Sequence, residues 1–246
     1  MVNSCLVHKL ENYLPLTDRE KEALATLERS PRTYSGGTTI ISEGDDAETL
    51  YVVQDGWLHS SNDLADGRRQ ILLLHYPGDI LGAASIAFDE ASSSVVAGDD
   101  ASLCRFPKSA LGAIFDEHPR LAALLYAIGM LENVALSDRL KVLGSSSGKG
   151  RLAGFILEIL SRLRASQSQA LVSFDMRLTQ ADIGDATGLN KIHVNRLLRE
   201  LEQQDGAIRR TGRTIEILRE DYLLEISSFA DRYRTIDSSW FPASRA

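Results

Sequence analysis

The chain has 246 residues, of which 43% are hydrophobic and 25% are charged, so it can form two modest globular domains and is not a disordered tail. It carries 27 basic and 34 acidic residues, and this net charge of −7 disfavours at first sight a nucleic acid as partner. Two distant cysteines, Cys5 and Cys104, predict neither a disulfide framework nor a zinc ribbon, and no leader or membrane-spanning run is expected, which favours the cytoplasm.

The N-terminal part of the chain predicts a short helix followed by a β-rich domain. Residues 17–28 form an amphipathic pattern, and Thr17 with Glu20 gives it a capping box. From about 32 to 106, short apolar runs alternate with glycine and aspartate turns, which is typical of a small antiparallel roll. Asp66-Gly67 is a hairpin signal. The predicted strands are Thr38–Ile41, Leu50–Val53, Trp57–His59, Ile71–His75, Val95–Ala97 and Leu103–Phe106.

A long helix is predicted from Ser109 to about Leu143. Apolar residues recur in it every seven positions, with a second residue in each interval, as in a coiled-coil seam. We expect this seam to pair with its twin in a homodimer; a helix that packs only on its own roll is the alternative. The seam consists of Leu121, Leu124, Ile128, Leu131, Ala135 and Val142. A flexible hinge is expected at Ser145–Gly150, before a helix over Arg151–Arg164.

The segment from Leu178 to Leu198 has the special positions of a helix-turn-helix. Thr179 can cap a first helix, Gly184 lets a second helix cross closely over it, and Gly188 supplies a left-handed turn residue. Asn190 can cap the second helix, and an apolar stripe on that helix is expected to pack inward. The stripe consists of Val194, Leu197, Leu198 and Leu201. The segment therefore predicts DNA binding, with an ordinary helical hairpin as the alternative.

The outer face of the second helix carries the candidate readers of the DNA major groove. Arg196 can donate two hydrogen bonds to guanine, and Asn195 can serve adenine or a phosphate. Ile192 is proposed to meet a thymine methyl group, and an incidental exposed isoleucine is the alternative. The candidate DNA-binding residues are Thr179, Gln180, Asn190, Lys191, Ile192, His193, Asn195, Arg196, Arg199, Arg209 and Arg213.

Residues 207–218 predict a β-hairpin beside this helix, which would be a wing. Its arginines, Arg209, Arg210 and Arg213, can reach backbone phosphates, although solvated arginines are the alternative. Charge supports this part of the chain as the phosphate-binding part, because residues 145–219 hold 12 basic and 8 acidic residues while residues 1–144 hold 12 and 21. A closing helix is predicted over residues 221–234, followed by a loose tail over residues 235–246.

The order of a glycine-punctuated roll, a long helix and a winged helix-turn-helix resembles the CRP/FNR family of bacterial transcription regulators, over nearly the whole chain. The matching motifs are Glu43-Gly44-Asp45, Asp66-Gly67-Arg68-Arg69-Gln70-Ile71, Pro77-Gly78-Asp79, Leu178-Thr179-Gln180 and Val194-Asn195-Arg196. The resemblance implies an α+β fold, a homodimer whose roll senses a signal, and RNA polymerase as a further partner. The domains are then a β-roll of jelly-roll type (1–118), a dimerisation helix (119–144), a winged helix-turn-helix (145–234) and a tail (235–246).

Departures from the family pattern bear on the signal and on the DNA site. Members that bind cyclic AMP place a Glu where Ala83 stands and an Arg-Ser pair where Ala91-Ser92 stands, and a buried cyclic phosphate without a cation is costly. Oxygen-sensing members hold an iron-sulfur cluster on four cysteines, whereas this chain has two. We expect neither ligand, and haem ligation by His8, His59, His75 or His118 stays open. The family's usual Glu on the recognition helix falls at Ile192, so a different DNA consensus is expected.

An enzyme is not predicted. Gly144–Gly148 matches G-x-S-x-G, and Ser147-Gly148-Lys149 resembles the end of a phosphate loop, but both follow a helix rather than a strand. No spaced His, Asp or Cys set indicates a catalytic metal. The predicted function is a sequence-specific regulator that reads a palindrome through helix 190–203 as a homodimer. The alternative is a ligand-sensing or protein-interaction module whose DNA binding is vestigial.

Overall fold

The computed structural model describes residues 4–166 and 170–243. Contacts divide them into two units. The first contains the described residues up to Asp63, Leu72–Gly129 and those after Arg234, and the second contains Leu64–Ile71 and Met130–Arg234. These units differ in detail from the four predicted domains, whose boundaries stay a prediction.

The first unit begins with two short helices, α1 (Cys5–Glu11) and α2 (Asp18–Ala25), and a 3₁₀ turn (Thr26–Glu28). The capping box predicted for α2 is confirmed, because the Thr17 hydroxyl accepts from the backbone N–H of Glu20 and the Glu20 carboxylate accepts from that of Thr17 at 2.8 Å. Helix α1 was not predicted, since seven residues are too few for a clear helical period.

Two four-stranded sheets form the roll, in the orders β1-β8-β3-β6 and β2-β7-β4-β5. All six predicted strands are present, and the turn at Asp66-Gly67 is confirmed by a positive φ of 80° at Gly67. Strands β1 and β6 were not predicted, because two or three residues show no alternation. The strands are β1 (Arg32–Tyr34), β2 (Thr39–Ile41), β3 (Thr49–Asp55), β4 (Leu58–Asp63), β5 (Arg69–His75), β6 (Ile80–Leu81), β7 (Ser94–Ala97) and β8 (Ala101–Pro107).

The single helix predicted from Ser109 is two helices, α3 (Ser109–Glu117) and α4 (Pro119–Ser145). His118 leaves the helical region with φ −128° and ψ 70°, because the ring of a following proline disfavours helical backbone at the residue before it. The predicted hinge is also wrong in extent. Helix α5 (Gly148–Ser166) starts three residues after α4 ends, so the hinge glycines form its first turn.

The predicted dimer seam of α4 faces the protein's own interior. Leu121 and Leu124 are 0% exposed in a core that includes Leu24 and Phe106, so a partner cannot touch them and that part of the prediction is wrong. Further along, Ala135 and Val142 are half-buried and line a cavity of about 30 Å³ with helix α5. The remaining seam residues, Ile128 and Leu131, are also half-buried. The large apolar side chains of α4 that are exposed are Tyr126, Met130, Val134, Leu136 and Leu140.

The apolar composition of α4 also bears on whether the chain has a run long enough to span a membrane. Among the described residues, α4 alone is long and apolar enough to cross a bilayer, judged by length and composition. An 18-residue stretch of it has a mean hydropathy of 1.3, and 17% of that stretch is buried. The expectation that no run reaches such a length was therefore wrong. Heptad-spaced core residues on one face and exposed apolar residues on the other together raise the hydropathy of this helix.

The second unit contains a helical core and a three-stranded sheet of order β10-β11-β9. The predicted wing is confirmed as β10 and β11, which meet at Gly212 with a φ of 61°. Helix α8 is shorter than predicted, because Ser228 adopts a left-handed conformation at its end. The elements after α5 are β9 (Ser173–Asp175), α6 (Gln180–Thr187), α7 (Lys191–Arg199), a π-helical turn (Glu200–Gln204), β10 (Ile208–Thr211), β11 (Thr214–Ile217) and α8 (Glu220–Ser227).

The C-terminal tail is attached to the first unit by a few apolar side chains, in contrast to the wholly loose tail that was predicted, although most of its described residues are exposed. Ile236 and Phe241 contact the core of the first unit. The Trp240 ring stands edge-on to Phe241 at 4.7 Å and to Tyr126 at 6.5 Å. Apolar side chains therefore hold this segment, and residues 244–246 of the predicted tail lie outside the described residues.

Candidate nucleic-acid interface

Local hydrogen bonds set the ends of the two helices of the helix-turn-helix. At the start of α6, the Thr179 hydroxyl accepts from the N–H of Asp182, and the Asp182 carboxylate accepts from the N–H of Thr179 at 2.9 Å. The helix ends at Gly188, which has φ 66° and ψ 32°. The Asn190 side chain then accepts from the N–H of His193 at 2.8 Å and caps α7. All these local predictions are confirmed.

The two helices pack closely because of a glycine. A Cβ at Gly184 would lie 2.4 Å from the carbonyl oxygen of Leu189, so only glycine allows this approach. The apolar stripe of α7 packs inward as predicted, with at most 4% of any of its residues exposed: Val194, Leu197, Leu198 and Leu201. The opposite face of α7 must therefore point to solvent.

That outer face forms an open depression of about 650 Å³, which we call the reading surface. It brings together six of the eleven predicted site residues and adds three residues from the end of the helix. Ile192 is 82% exposed in it. The predicted members are Gln180, Lys191, Ile192, Asn195, Arg196 and Arg199, and the others are Glu200, Gln203 and Gln204. The last three come from the π-helical turn, where each turn holds an extra residue.

Arg196 is oriented by two neighbours before any DNA is bound. Its Nη1 donates to Glu200 Oε1 at 2.5 Å, and its Nη2 contacts His193 Nε2 at 2.5 Å. His193 accepts that bond when it is neutral, with its proton on Nδ1. Glu200 was not among the predicted site residues, although its i, i+4 spacing from Arg196 is a signal for such a pair.

Glu200 is in turn held by a cation from α5. The Lys149 Nζ lies 3.6 Å from Glu200 and 2.9 Å from Asp205. The hydrogen bond to Asp205 is the main reason that the pKa of Lys149 is raised, so this ammonium stays charged. Lys149, Glu200 and Arg196 therefore form a row of alternating charges that ends at Arg196.

A second polar contact joins the two helices across the reading surface. The Asn195 Nδ2 donates to Gln180 Oε1 at 3.1 Å. Both residues are half-buried, one at the start of α6 and one in the middle of α7. The pair lies 15 positions apart, beyond the reach of any helix-face pattern.

The other predicted site residues lie outside the reading surface. Thr179, Asn190 and His193 have the capping and orienting contacts already described. Arg209 and Arg213 stand on the wing with side chains 61% exposed, 3.4 Å from Glu216 and 3.5 Å from Asp175 respectively. Exposed pairs of this kind are weak, so both arginines can turn to a phosphate.

Arg210 differs from its two neighbours on the wing. Its guanidinium donates to Glu202 at 2.8 Å, its backbone N–H donates to the same carboxylate, and its side chain is only 24% exposed. The hydrogen bond from the Arg210 side chain is the main reason that the pKa of Glu202 is lowered. Arg210 therefore braces the wing against the π-helical turn.

Helix α6 also has partners that no local pattern indicated. Arg69 donates to Asp182 at 2.5 Å and to Asp185 at 2.8–2.9 Å, and the Gln70 amide donates to the Asp185 carbonyl at 2.6 Å. Burial opposes ionisation of Asp182, but the hydrogen bonds from Thr179 and Arg69 outweigh it, so its pKa is lowered. All four residues belong to the second unit.

The roll does not offer the groups that bind cyclic AMP in the usual way. The segment from Gly82 to Ser94 is described throughout and contains no Lys or Arg. The hydroxyls of Ser85 and Ser92 bond to each other at 3.0 Å, and the N–H of Ser92 donates to Ser85 at 2.9 Å. This segment therefore does not fit a buried cyclic phosphate.

The two thiols do not fit an iron-sulfur cluster either. Burial raises the pKa of Cys104 to about 11, and burial is also the main reason that the pKa of Cys5 is raised. Two neutral thiols cannot supply four thiolate ligands. Within residues 4–166 and 170–243, no three His, Cys, Asp or Glu side chains are grouped so that they could hold a metal ion.

Both parts of the chain match known protein families. Residues 31–118 match the family described as "Cyclic nucleotide-binding domain". Residues 150–226, which include the whole reading surface, match the "Crp-like helix-turn-helix domain".

Relatives of known function match most of the chain. The nitrogen fixation regulation protein FixK of Bradyrhizobium diazoefficiens is 30% identical over 71% of this chain and 72% of its own. The fumarate and nitrate reduction regulatory protein of Escherichia coli K12 is 26% identical over 91% of this chain and 88% of its own. The structure of FixK2 from Bradyrhizobium japonicum superposes with a TM-score of 0.73 and 29% identity, over 82% of this chain and 98% of that one.

Proposed function

We propose, from the premise that this chain belongs to the CRP/FNR family of DNA-binding transcription regulators, that it binds a palindromic DNA site as a homodimer. The reading surface is the observation that carries this proposal. It presents a preoriented arginine, two further cations and an exposed apolar side chain on one face of a helix that is narrow enough for a major groove. The relatives of this chain are regulators and not enzymes.

Each group of the reading surface has a role that follows from its chemistry. Arg196 and Lys191 are donors only, which suits the two acceptors on the major-groove edge of guanine. Ile192 can bury its methyl groups against a thymine methyl. Arg209 and Arg213 of the wing would bind backbone phosphates and add affinity without sequence preference.

The homodimer is supported by the exposed face of α4 rather than by the predicted seam. Tyr126, Met130, Val134 and Leu140 are 62%, 46%, 45% and 63% exposed and lie along one side of the helix. These four side chains form an exposed, mostly apolar stripe that is interrupted by Asn133 and Ser137, and an exposed apolar patch of this kind marks an interaction surface. A second copy of the same helix is its occupant in this proposal, because a two-fold dimer doubles the reading surface to match a two-fold DNA site.

The location and the further partner follow from this role. A bacterial regulator meets DNA and RNA polymerase in the cytoplasm, so we place this protein there and expect it to act on RNA polymerase. The roll's acidic charge sets no obstacle, since the cations gather in the second unit.

Site selection from random duplexes tests the DNA-binding part of the proposal. The purified full chain should enrich a palindrome of two half-sites, and its affinity should fall steeply between about 50 and 200 mM salt. Failure to enrich any sequence, with the chain folded by circular dichroism, would favour the interaction module with vestigial DNA binding.

A pair of matched substitutions tests the dimer. Leu140→Glu places a charge in the exposed stripe and should convert the dimer to a monomer by light scattering. Leu224→Glu makes the same change at an exposed leucine of helix α8, outside this stripe, and should leave the dimer intact. Equal dimerisation of both variants would contradict the assignment of this stripe.

A further inference from the structure

We propose that Gln180, which lies outside the recognition helix, is a positioning residue that orients the Asn195 amide to read adenine. This inference rests on the proposed function and adds a base preference to it. The observation that carries it is the hydrogen bond from Asn195 Nδ2 to Gln180 Oε1, which joins α6 to α7 within the reading surface.

The contact leaves the Asn195 amide with one donor and one acceptor. A primary amide has two N–H donors and one carbonyl acceptor, and Gln180 takes one of the donors. The major-groove edge of adenine presents an acceptor at N7 and a donor at N6, whereas guanine presents two acceptors. The remaining groups of Asn195 therefore complement adenine and cannot pair twice with guanine.

Gln180 also determines which way the amide points. The Gln180 oxygen accepts only from an N–H, so it holds the Asn195 nitrogen towards α6 and the oxygen away from it. Without this contact, the amide can turn by half a rotation and present either group to a base. Orientation before binding lowers the entropy cost of the two base contacts and makes the wrong base costlier.

The position of Gln180 is itself well fixed. It is the first residue of α6, directly after the Thr179 cap, whose reciprocal bonds with Asp182 hold the backbone at this point. Arg69 holds the same Asp182 from the other side. The start of α6 therefore fixes the backbone from which the Gln180 side chain reaches Asn195.

The experiment compares duplexes that differ at one base pair. The starting duplex is the palindrome selected by the full chain, and the variable base pair is the one at which Asn195→Ala loses its preference for adenine. Fluorescence anisotropy then gives the Kd ratio of the guanine to the adenine duplex for each variant. We expect a ratio of about ten for the wild type, the discrimination of a good bidentate contact.

Gln180→Ala should lower this ratio several-fold towards one, and the double variant with Asn195→Ala should lose nothing more. Gln180→Glu keeps an oxygen that accepts from Asn195, so it should retain the ratio while its charge weakens binding to both duplexes. Lys191→Ala is the matched control, because it should alter a different base pair and leave this ratio unchanged.

Two results would overturn the inference. In one, Gln180→Ala weakens both duplexes by the same factor and keeps the ratio, as a residue that only binds a phosphate would do. In the other, Asn195→Ala alters no base preference at any position. Both leave wild-type binding intact, whereas a wild type that selects no DNA contradicts the proposed function itself.

Discussion

Ile192 is an apolar residue on a polar surface. It is 82% exposed, and the other side chains of the reading surface are polar or charged. A branched apolar side chain gains free energy when it leaves water, and a thymine methyl group is the apolar feature that a major groove offers. DNA would therefore supply the packing partner that the protein does not.

We expect Ile192→Glu to change the selected DNA sequence at one base pair in each half-site. The carboxylate accepts from cytosine, so the preference for thymine at that position should be replaced. Ile192→Val keeps the branched methyl groups and should keep the wild-type site. Repeating the site selection with both variants tests this, and an unchanged sequence for Ile192→Glu would count against the methyl contact.

Cys104 is expected to be inert in the folded protein. Burial raises the pKa of its thiol to about 11, and the side chain is wholly buried, so little thiolate exists at pH 8 and none is accessible. Iodoacetamide followed by mass spectrometry should label Cys5 first and Cys104 only after the chain unfolds in urea. Equal labelling of both cysteines in the native protein would contradict this burial.

Residues that act on their immediate neighbours could be predicted from the sequence. Thr179, Gly188 and Asn190 each act within four positions, so side-chain type and spacing were sufficient. The bond between Gln180 and Asn195 could not be predicted, because it depends on how closely two helices cross.

At the scale of elements, the start of α6 depends on an ionised carboxylate. Asp182 receives hydrogen bonds from Thr179 and Arg69, and its pKa is lowered despite burial. A carboxyl group whose pKa is lower in the folded state adds stability above its unfolded pKa of about 3.9, and that stability is lost as the pH falls through the folded value.

Asp182→Asn should therefore reduce the free energy of unfolding by about 1 kcal/mol above pH 5, because the neutral amide loses the ion pair with Arg69 and the negative charge in the first turn of α6. The difference from the wild type should shrink below about pH 4, as the wild-type carboxylate takes up its proton. Urea unfolding followed by far-ultraviolet circular dichroism between pH 3 and 7 measures this. A difference that stays constant across this range would show that charge at Asp182 is unimportant.

The wing arginines should separate into two kinds. Arg209→Ala and Arg213→Ala should each reduce the slope of log affinity against log salt by about one, since each removes one phosphate contact. Arg210→Ala should leave the slope unchanged and lower the unfolding free energy instead, because it loses the bonds to Glu202. Salt titrations of the three variants test the distinction, and an equal loss of slope in all three would contradict it.

Helix α4 shows what hydrophobic periodicity can and cannot predict for a whole element. The seven-residue repeat indicated a packed stripe, and the structure has one, but its partner is the protein itself. Leu121 and Leu124 lie in the core of the first unit, while the exposed stripe runs along the opposite side. Periodicity shows that a face is buried and leaves open what covers it. Pro119 carried the one local signal for the helix break.

At the scale of the whole molecule, the tail belongs to the first unit and should stabilise it. Phe241 packs against the core of that unit but is only partly buried, so Phe241→Ala should cost about 1–2 kcal/mol, less than a full core deletion. Both tryptophans, Trp57 and Trp240, lie in the same unit, so their fluorescence during urea unfolding reports on it.

Ser239→Ala is the control for this prediction. Its side chain is exposed, so the substitution should change the unfolding free energy by less than about 0.5 kcal/mol. Equal stability of the Phe241→Ala variant and the wild type would contradict this packing and favour the loose tail that the sequence indicated.

The architecture as a whole could be predicted because its motifs recur in a fixed order, and the roll, the long helix and the winged helix-turn-helix are all present. Contacts between positions far apart in the sequence could not be predicted. Arg69 meets Asp182 and Asp185 across more than 110 positions, and Phe241 reaches a core built mostly from the first half of the chain. Such pairs follow from the packed fold and have no signature in local composition.

The place of the tail also constrains how the protein can be made. A ribosome releases the chain from its N-terminus, so the roll emerges early and the helix-turn-helix follows. The first unit nevertheless cannot bury Ile236 and Phe241 until those residues have been synthesised. The apolar surface that they cover therefore stays uncovered throughout translation of the DNA-binding unit, and the unit that is begun first is completed last.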